Sequence, residues 1–257
     1  MQYPNISERI KVYKMKVIIN GISGAMGTIL AGLVEQADDM ELVAGICPSG
    51  RAGSYTSLNE YQGPADIVID FSHHDGTADL MNYCVSRGLP VVVCTTGHTD
   101  EEAALIENAA QSIPVFKSAN MSVGVALVAK VVEEVAAKFG ACDVEIIERH
   151  HNRKVDAPSG TAVMLADAVR KARPELHDHV GRSGHARREQ DEIGISSIRM
   201  GNIVGTHEVM FGTNNQTITI KHEAHDRALF ADGAVSAARF LVNKPAGLYD
   251  MTDLVAE

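Results

Sequence analysis

A strand, a glycine turn and a helix near the start of this chain constrain its fold more than any other feature. Val17-Ile18-Ile19-Asn20 is a short apolar run rich in β-branched residues. Gly21-x-x-Gly24-x-x-Gly27 follows at once, and residues 28–37 then read as a helix. This is the context that a dinucleotide-binding turn requires. Its glycines permit a tight turn, close approach of a pyrophosphate and close helix–strand packing. Residues 42–46, 67–71 and 91–95 are further strand-like runs, with helical stretches between most of them. Such alternation predicts an α/β domain built on a doubly wound parallel sheet of Rossmann type. The spacing Gly-x-x-Gly-x-x-Gly is not the usual Gly-x-Gly-x-x-Gly, so the turn alone does not separate a nucleotide site from an ordinary strand–helix connection.

The composition shifts near residue 121. A helix is expected over residues 123–139, then a strand over 144–148 and a helix ending near 172. Residues 181–191 are polar and rich in Gly, Arg and His. Residues 195–199, 203–211 and 216–222 alternate with a period of two, which suggests half-buried antiparallel strands. Asn214-Asn215 reads as a hairpin turn between the last two. This is a second, α+β domain carrying a mixed or antiparallel sheet. Residues 230–242 are again helical with one apolar face.

The gross numbers exclude several functions. No apolar run approaches the roughly 18–20 residues of a membrane span. Net charge is −10 with no basic block, so nucleic acid is not an expected partner. No signal-peptide pattern opens the chain, and Cys47, Cys84, Cys94 and Cys142 form neither a CxxC pair nor a zinc spacing. A cytoplasmic location is therefore expected. Several histidines are paired, as His73-His74, His150-His151 and His222-x-x-His225, but none comes with a set of three or four ligands, and no metal is expected. Residues 1–14 are polar and aperiodic, and the first strand is expected to start at Met15.

The stretch from Glu148 to Ala162, Glu-Arg-His-His-Asn-Arg-Lys-Val-Asp-Ala-Pro-Ser-Gly-Thr-Ala, concentrates the chemistry. Apolar residues at helical spacing follow it, so Ser159, Gly160 and Thr161 sit at a helix start. There, side-chain oxygens cap orphan N–H groups, and the same N–H groups and the helix dipole can hold an anion. Gly160 lets a ligand approach the backbone closely. Alone, this turn could be only a cap; with His150, His151 and Lys154 upstream it offers a proton donor, a fixed positive charge and an anion cradle. Glu148 reads as the end of the strand, and Asp156 as a residue that orders the loop.

This run resembles the signature of the dihydrodipicolinate reductase family. Gly21-Ile22-Ser23-Gly24-Ala25-Met26-Gly27, Asp70-Phe71-Ser72, Cys94-Thr95-Thr96-Gly97, Ala119-Asn120-Met121-Ser122-Val123-Gly124 and Phe230-Ala231-Asp232-Gly233-Ala234 match family motifs in the same order. The resemblance implies NADPH- or NADH-dependent reduction of (2S,4S)-4-hydroxy-2,3,4,5-tetrahydrodipicolinate to tetrahydrodipicolinate, in lysine and diaminopimelate biosynthesis. It implies His150 as the general acid, with Lys154 beside it, and His151, Lys154, Ser159, Gly160 and Thr161 as substrate contacts. It implies cofactor contacts at Gly21, Gly24, Ala25, Met26, Gly27, Thr95, Thr96, Gly97, Ala119, Asn120, Met121, Arg227 and Phe230. Residues 1–121 with 228–257 would form the dinucleotide-binding domain, residues 122–227 would bind substrate and join subunits, and the assembly would be a homotetramer.

Two positions depart from some relatives. Met121 stands where they have an aromatic residue. Cys47-Pro48-Ser49-Gly50-Arg51 stands where they have Glu-Arg. An acid there binds the ribose 2′-OH of NAD. Without it, Ser49 and Arg51 could bind a 2′-phosphate, which favours NADPH while leaving NADH open. Two other functions share parts of this pattern: a related amino-acid dehydrogenase, which would lack the run from His150 to Thr161, and a non-catalytic nucleotide sensor, which would have no use for a proton donor beside an anion cradle.

Overall fold

The computed structural model describes residues 13–51 and 54–256. Most of the expected extension over residues 1–14 lies outside them. Two compact units are present. One contains the described residues up to Lys117 together with Ala234–Leu248, and the other contains Ser118–Gly233 and the described residues from Tyr249 onward.

In the first unit, β1 (Met15–Asn20) leads through the glycine turn into α1 (Ala25–Gln36) and β2 (Met40–Ile46). It continues with β3 (Ile67–Asp70), α2 (Thr77–Arg87), β4 (Val91–Val93), α3 (Asp100–Ala110) and β5 (Pro114–Lys117). The strand order is β11-β5-β4-β3-β1-β2, where β11 is Gly247–Tyr249. The pairs β1–β2, β1–β3, β3–β4 and β4–β5 are parallel. Val17, Ile18, Ile19, Ile67, Val68, Ile69, Val91, Val92 and Val93 are all fully buried. That follows from a parallel sheet covered on both faces. The chain winds one way from β1 to β2 and the other way from β3 onward. The switch falls between β1 and β3, and ligands bind such sheets outside the carboxyl ends at that point.

Helix α1 starts three residues earlier than the sequence pattern suggests. Gly27 belongs to its first turn rather than to the preceding loop, because a Cβ there would lie 2.1 Å from the Gly21 carbonyl oxygen. Gly21 has φ +86° and no room either: its Cβ would lie 2.4 Å from the Phe71 carbonyl oxygen.

The second unit has a five-stranded sheet of order β10-β9-β6-β8-β7. Its strands are β6 (Asp143–His150), β7 (His177–Val180), β8 (Glu192–Arg199), β9 (Gly205–Gly212) and β10 (Thr217–Ala224). β9 is antiparallel to β6 and β10, and a turn over residues 213–216 joins β9 to β10 as expected. β8 is instead parallel to both β6 and β7. The period of two reports a half-buried face and carries no information about strand direction. Helices α4 (Val123–Lys138) and α5 (Gly160–Ala172) cover the sheet, with Val132, Ala136, Leu165 and Val169 packed in one core with Val144, Ile146, Ile193, Val209 and Phe211. Helices α6 (Ala228–Leu241) and α7 (Met251–Leu254) complete the fold. β6 runs two residues past the expected strand end, so His150 belongs to the strand. All four cysteines are free and buried. No described helix is long and apolar enough to cross a membrane.

The glycines of α1 give a paired test. Gly27→Ala should cost about 1–3 kcal/mol of unfolding free energy, as overpacking does. Gly32, in the same helix, has nothing within 4 Å of its Cβ position. Gly32→Ala should instead gain about 0.5–1 kcal/mol. Denaturant titration of both variants measures this, and equal effects would refute a tight α1–β1 approach.

Candidate active site

The glycine turn delivers α1 to the carboxyl edge of the first sheet with its leading amides uncapped. Gly24 is the N-cap and supplies no side-chain hydrogen bond. A cavity of about 410 Å³ opens there, lined by Gly24, Ala25, Met26, Ser72, Thr95 and Thr96. An exposed helix N-terminus with crowded glycines behind it suits a pyrophosphate, which needs N–H donors and close backbone approach.

A buried polar network supports the rim of this cavity. Asp70 Oδ1 accepts from Asn20 Nδ2 (2.8 Å) and Ser72 Oγ (2.6 Å), and Oδ2 accepts from Thr95 Oγ1 (2.7 Å). Burial pushes the Asp70 carboxyl up, against these three donors. Thr95 is thereby fixed, while Thr96 and Gly97 are exposed beside it. At the end of β2, Cys47 Sγ lies 2.7 Å from Ser23 Oγ and 3.0 Å from Ser49 Oγ. The two hydroxyls hold the thiol down at about 6. Ser49 is thus engaged with Cys47, and Arg51 is exposed.

Asn120, Met121, Arg227 and Phe230 belong to the second unit, as does Ala119. Asn120 Nδ2 donates to Thr161 Oγ1 (2.9 Å) and its Oδ1 accepts from the Ser122 amide (2.9 Å). A residue expected at the cofactor therefore holds one expected at the substrate. Met121 is buried, and a Cβ on Gly233 would lie 1.6 Å from its carbonyl oxygen.

The central strand of the second sheet carries the catalytic candidates. In a strand, alternate residues share a face. On β6 the buried face reads Val144, Ile146, Glu148, His150, so it passes from apolar to ionic at its carboxyl end. His150 Nδ1 lies 2.6 Å from Glu148 Oε2. Glu148 is fully buried and also accepts from both terminal nitrogens of Arg199 on β8 (2.7 and 2.8 Å) and from the Ser159 amide (3.1 Å). Burial pushes its carboxyl up, but the hydrogen bonds from Arg199 and His150 prevail and hold it at about 2.

Ser159 caps α5 by accepting from the Ala162 amide (3.2 Å), and Gly160 and Thr161 form the first turn. A Cβ on Gly160 would meet nothing within 4 Å, so its lack of a side chain leaves open space there. Ser159 Oγ also lies 3.0 Å from His207 Nε2. Burial, with His150 nearby, pushes His207 down to about 4, so this imidazole is neutral. Its ring meets that of His150 edge-on, 5.1 Å away.

His151, Lys154 and Arg227 gather next to these residues. The His151 imidazole is shifted down by burial and by the positive fields of Arg153, Arg227, His150 and Lys154. Lys154 Nζ pairs with Asp156 Oδ1 at 2.7 Å, and Asp156 is about half exposed. Excess positive charge at the exposed end of a helix N-terminus is suited to a dianion. Sequence reasoning assigned no role to Glu148 beyond the strand end and did not reach Arg199 or His207. The spacing Glu-x-His on a strand, which puts both side chains on one face, was the available signal for Glu148.

Comparison with known proteins agrees with this geometry. The family described as "Dihydrodipicolinate reductase, N-terminus" matches residues 15–121, and "Dihydrodipicolinate reductase, C-terminus" matches residues 124–255. A 4-hydroxy-tetrahydrodipicolinate reductase of Clostridium tetani is 41% identical over 249 residues, covering 94% of this chain and 98% of that protein. One from Caldanaerobacter subterraneus is 43% identical over 246 residues, with the same coverage. The dipicolinate-bound dihydrodipicolinate reductase of Paenisporosarcina sp. TG-14 superposes with a TM-score of 0.77 at 26% identity, covering 92% of this chain and 97% of that one. An aspartate dehydrogenase of Thermotoga maritima, at 13% identity and a TM-score of 0.50, shares the fold alone. The chain belongs to the dihydrodipicolinate reductase family.

Proposed function

We propose that this chain reduces 4-hydroxy-tetrahydrodipicolinate to tetrahydrodipicolinate, the reaction its curated relatives are named for, and that it does so in the cytoplasm. The chain is an oxidoreductase that uses a nicotinamide cofactor. The observation that carries the substrate assignment is the grouping of His150 with Lys154, His151, Arg227 and the Ser159–Thr161 helix start in one unit. A proton donor next to two kinds of anion site suits a ring that bears two carboxylates.

The bound nicotinamide supplies hydride. Gly21, Gly24, Ala25, Met26 and Gly27 would hold its pyrophosphate, and Thr95, Thr96 and Gly97 the nicotinamide ribose. Ala119, Asn120, Met121, Arg227 and Phe230 would complete the cofactor contacts. Residues 1–121 with 228–257 would serve mainly the cofactor, and residues 122–227 the substrate, with Arg227 at the boundary reaching the cofactor. Loss of water from the substrate gives a conjugated ring. As hydride adds to one carbon of its double bond, His150 gives a proton to the neighbouring carbon. His151 would contact one carboxylate, and Lys154 with the Ser159, Gly160 and Thr161 turn would hold the other. Neutral His207 leaves the Ser159 hydroxyl in place without adding charge.

The assignment is tested by following absorbance at 340 nm with freshly made substrate. His150→Gln should lower kcat by roughly 10²–10⁴, the usual size of general acid catalysis, with a smaller change in KM. Lys154→Ala should weaken substrate capture by about 1.5–3 kcal/mol, the size of a charge-assisted hydrogen bond, while cofactor still binds. Near-normal kcat in the first variant, or equal loss of cofactor affinity in the second, would displace these residues from their roles.

For the cofactor we favour NADPH, with NADH also accepted. Arg51 is exposed at the end of β2 with no acid beside it in the sequence. Arg51→Ala should weaken NADPH more than NADH, and Cys47→Glu should move preference toward NADH. Dissociation constants for both cofactors in wild type and variants measure this; a constant NADPH/NADH ratio would take selectivity away from this loop.

For assembly we favour a homotetramer joined through the second sheets. β10 ends the sheet with an unpaired edge, and exposed edges need cover. Leu127 and Val131 on α4 are nearly half exposed. Light scattering at working concentration should report about four chains. An active, stable monomer would refute it.

A further inference from the structure

We infer that Glu148 is a positioning residue that fixes the proton-bearing nitrogen of His150, so that only Nε2 delivers a proton, and that Arg199 serves to hold Glu148. This rests on the reading of His150 as the general acid.

The argument begins with the acceptor capacity of a carboxylate. Glu148 accepts two bonds from Arg199, one from the Ser159 amide and one contact from His150 Nδ1. An ionised carboxylate has about four acceptor positions and no donor. All four are filled. Arg199 and the backbone amide can only donate, and they keep the carboxyl ionised. The fourth partner must therefore also donate, so Nδ1 of His150 carries a hydrogen in both the neutral and the charged imidazole. A free imidazole has no such restriction.

Both partners are held in place. Glu148 is fully buried, and its guanidinium partner is anchored twice more, to the carbonyl oxygens of Asp156 (2.6 Å) and Ile198 (2.9 Å). The strand register sets these residues together: Glu148 stands opposite Ser197 on β8 and His207 on β9, and His150 stands opposite Arg199. Arg199 is therefore committed through both of its terminal nitrogens.

The other nitrogen is kept accessible by a missing side chain. A Cβ on Gly205 would lie 3.0 Å from His150 Nε2. His207, whose ring lies edge-on to His150, is uncharged and does not compete for the proton. The positive fields of Lys154 and Arg227 reach His151 next to this site and, with burial, shift its imidazole down. In the step itself the Nε2–H bond breaks, the electron pair released at the ring carbon by hydride addition forms the new C–H bond, and neutral His150 with Nδ1–H remains. That product tautomer is the one Glu148 accepts.

The test reads the tautomer directly. Histidine is labelled with ¹⁵N in the full-length protein, and the imidazole spectrum is recorded at mildly alkaline pH without substrate, with His150→Gln identifying the resonance. Wild type should show His150 with hydrogen on Nδ1 alone. Glu148→Gln should lose that exclusive state and lower kcat by roughly 10²–10⁴, as mispositioned imidazoles do, with KM and cofactor affinity within about twofold. Hydrogen on Nε2 in neutral wild-type His150 would overturn the inference, and that measurement stands even where Glu148→Gln does not fold. Normal kcat in a folded Glu148→Gln would also overturn it. Should His150→Gln keep normal kcat while the tautomer is as expected, the general-acid reading fails and the catalytic part of this inference fails with it.

Discussion

The buried carboxylate of Glu148 is the interaction on which the substrate-side geometry depends. A charge in the protein interior is tolerated only when paired and hydrogen-bonded. Removing one partner of such a pair typically costs about 3–5 kcal/mol, because the other charge is left stranded. Glu148 therefore obliges three separate segments to meet: the carboxyl end of β8 through Arg199, the start of α5 through the Ser159 amide, and His150 on its own strand. Arg199 passes the constraint on to the Asp156 carbonyl in the intervening loop. Hydrophobic residues in place of both Glu148 and Arg199 could stabilise the sheet equally well. They could not orient an imidazole and a helix N-terminus toward one place.

Charge around this core is arranged so that the tight pairs stay fixed and the loose ones can exchange. In the Glu148–Arg199 pair the carboxylate is fully buried, whereas the Lys154–Asp156 pair leaves Asp156 about half exposed. Exposed pairs contribute only about 0–1 kcal/mol. In the proposed function, a substrate carboxylate would take the Lys154 ammonium from Asp156 at little cost. His151, crowded by Arg153, Arg227, His150 and Lys154, gains most from an arriving anion. The chain as a whole carries a net charge of −10, so this cluster stands out against an acidic background. Local arrangement, rather than net charge, determines what the site attracts.

The parts of this structure that could be read from the sequence are those fixed by local chemistry. Gly21, Gly24 and Gly27 are spaced by what a turn and a tight helix approach require. Ser159, Gly160 and Thr161 announce a helix start, and the cap is found there. The winding of the first sheet follows from alternation alone. What stayed hidden depends on pairing between distant strands. Arg199 and His207 become part of the site only because β8 lies parallel to β6 and β9 antiparallel to it, and a period of two cannot reveal direction. Short polar strands such as β7, with sequence His-Asp-His-Val, carry almost no signal of their own. Glu148 was visible but undervalued: its position two residues before His150 fixes their shared face only if the strand continues to His150, which it does.

The cofactor side shows the opposite limit, where residue letters were visible but their chemistry was not. The end of β2 lacks an acid, which argued for a 2′-phosphate near Arg51. Cys47 stands where an acid would, and the hydroxyls of Ser23 and Ser49 beside its thiol hold it down at about 6. Arg51 is exposed, and an exposed ion pair contributes at most about 1 kcal/mol, less than a tenfold preference. An attraction of that size fits the proposal that NADPH is favoured and NADH also accepted. In that proposal the backbone turn at Gly21–Gly27 would recognise the pyrophosphate that the two cofactors share.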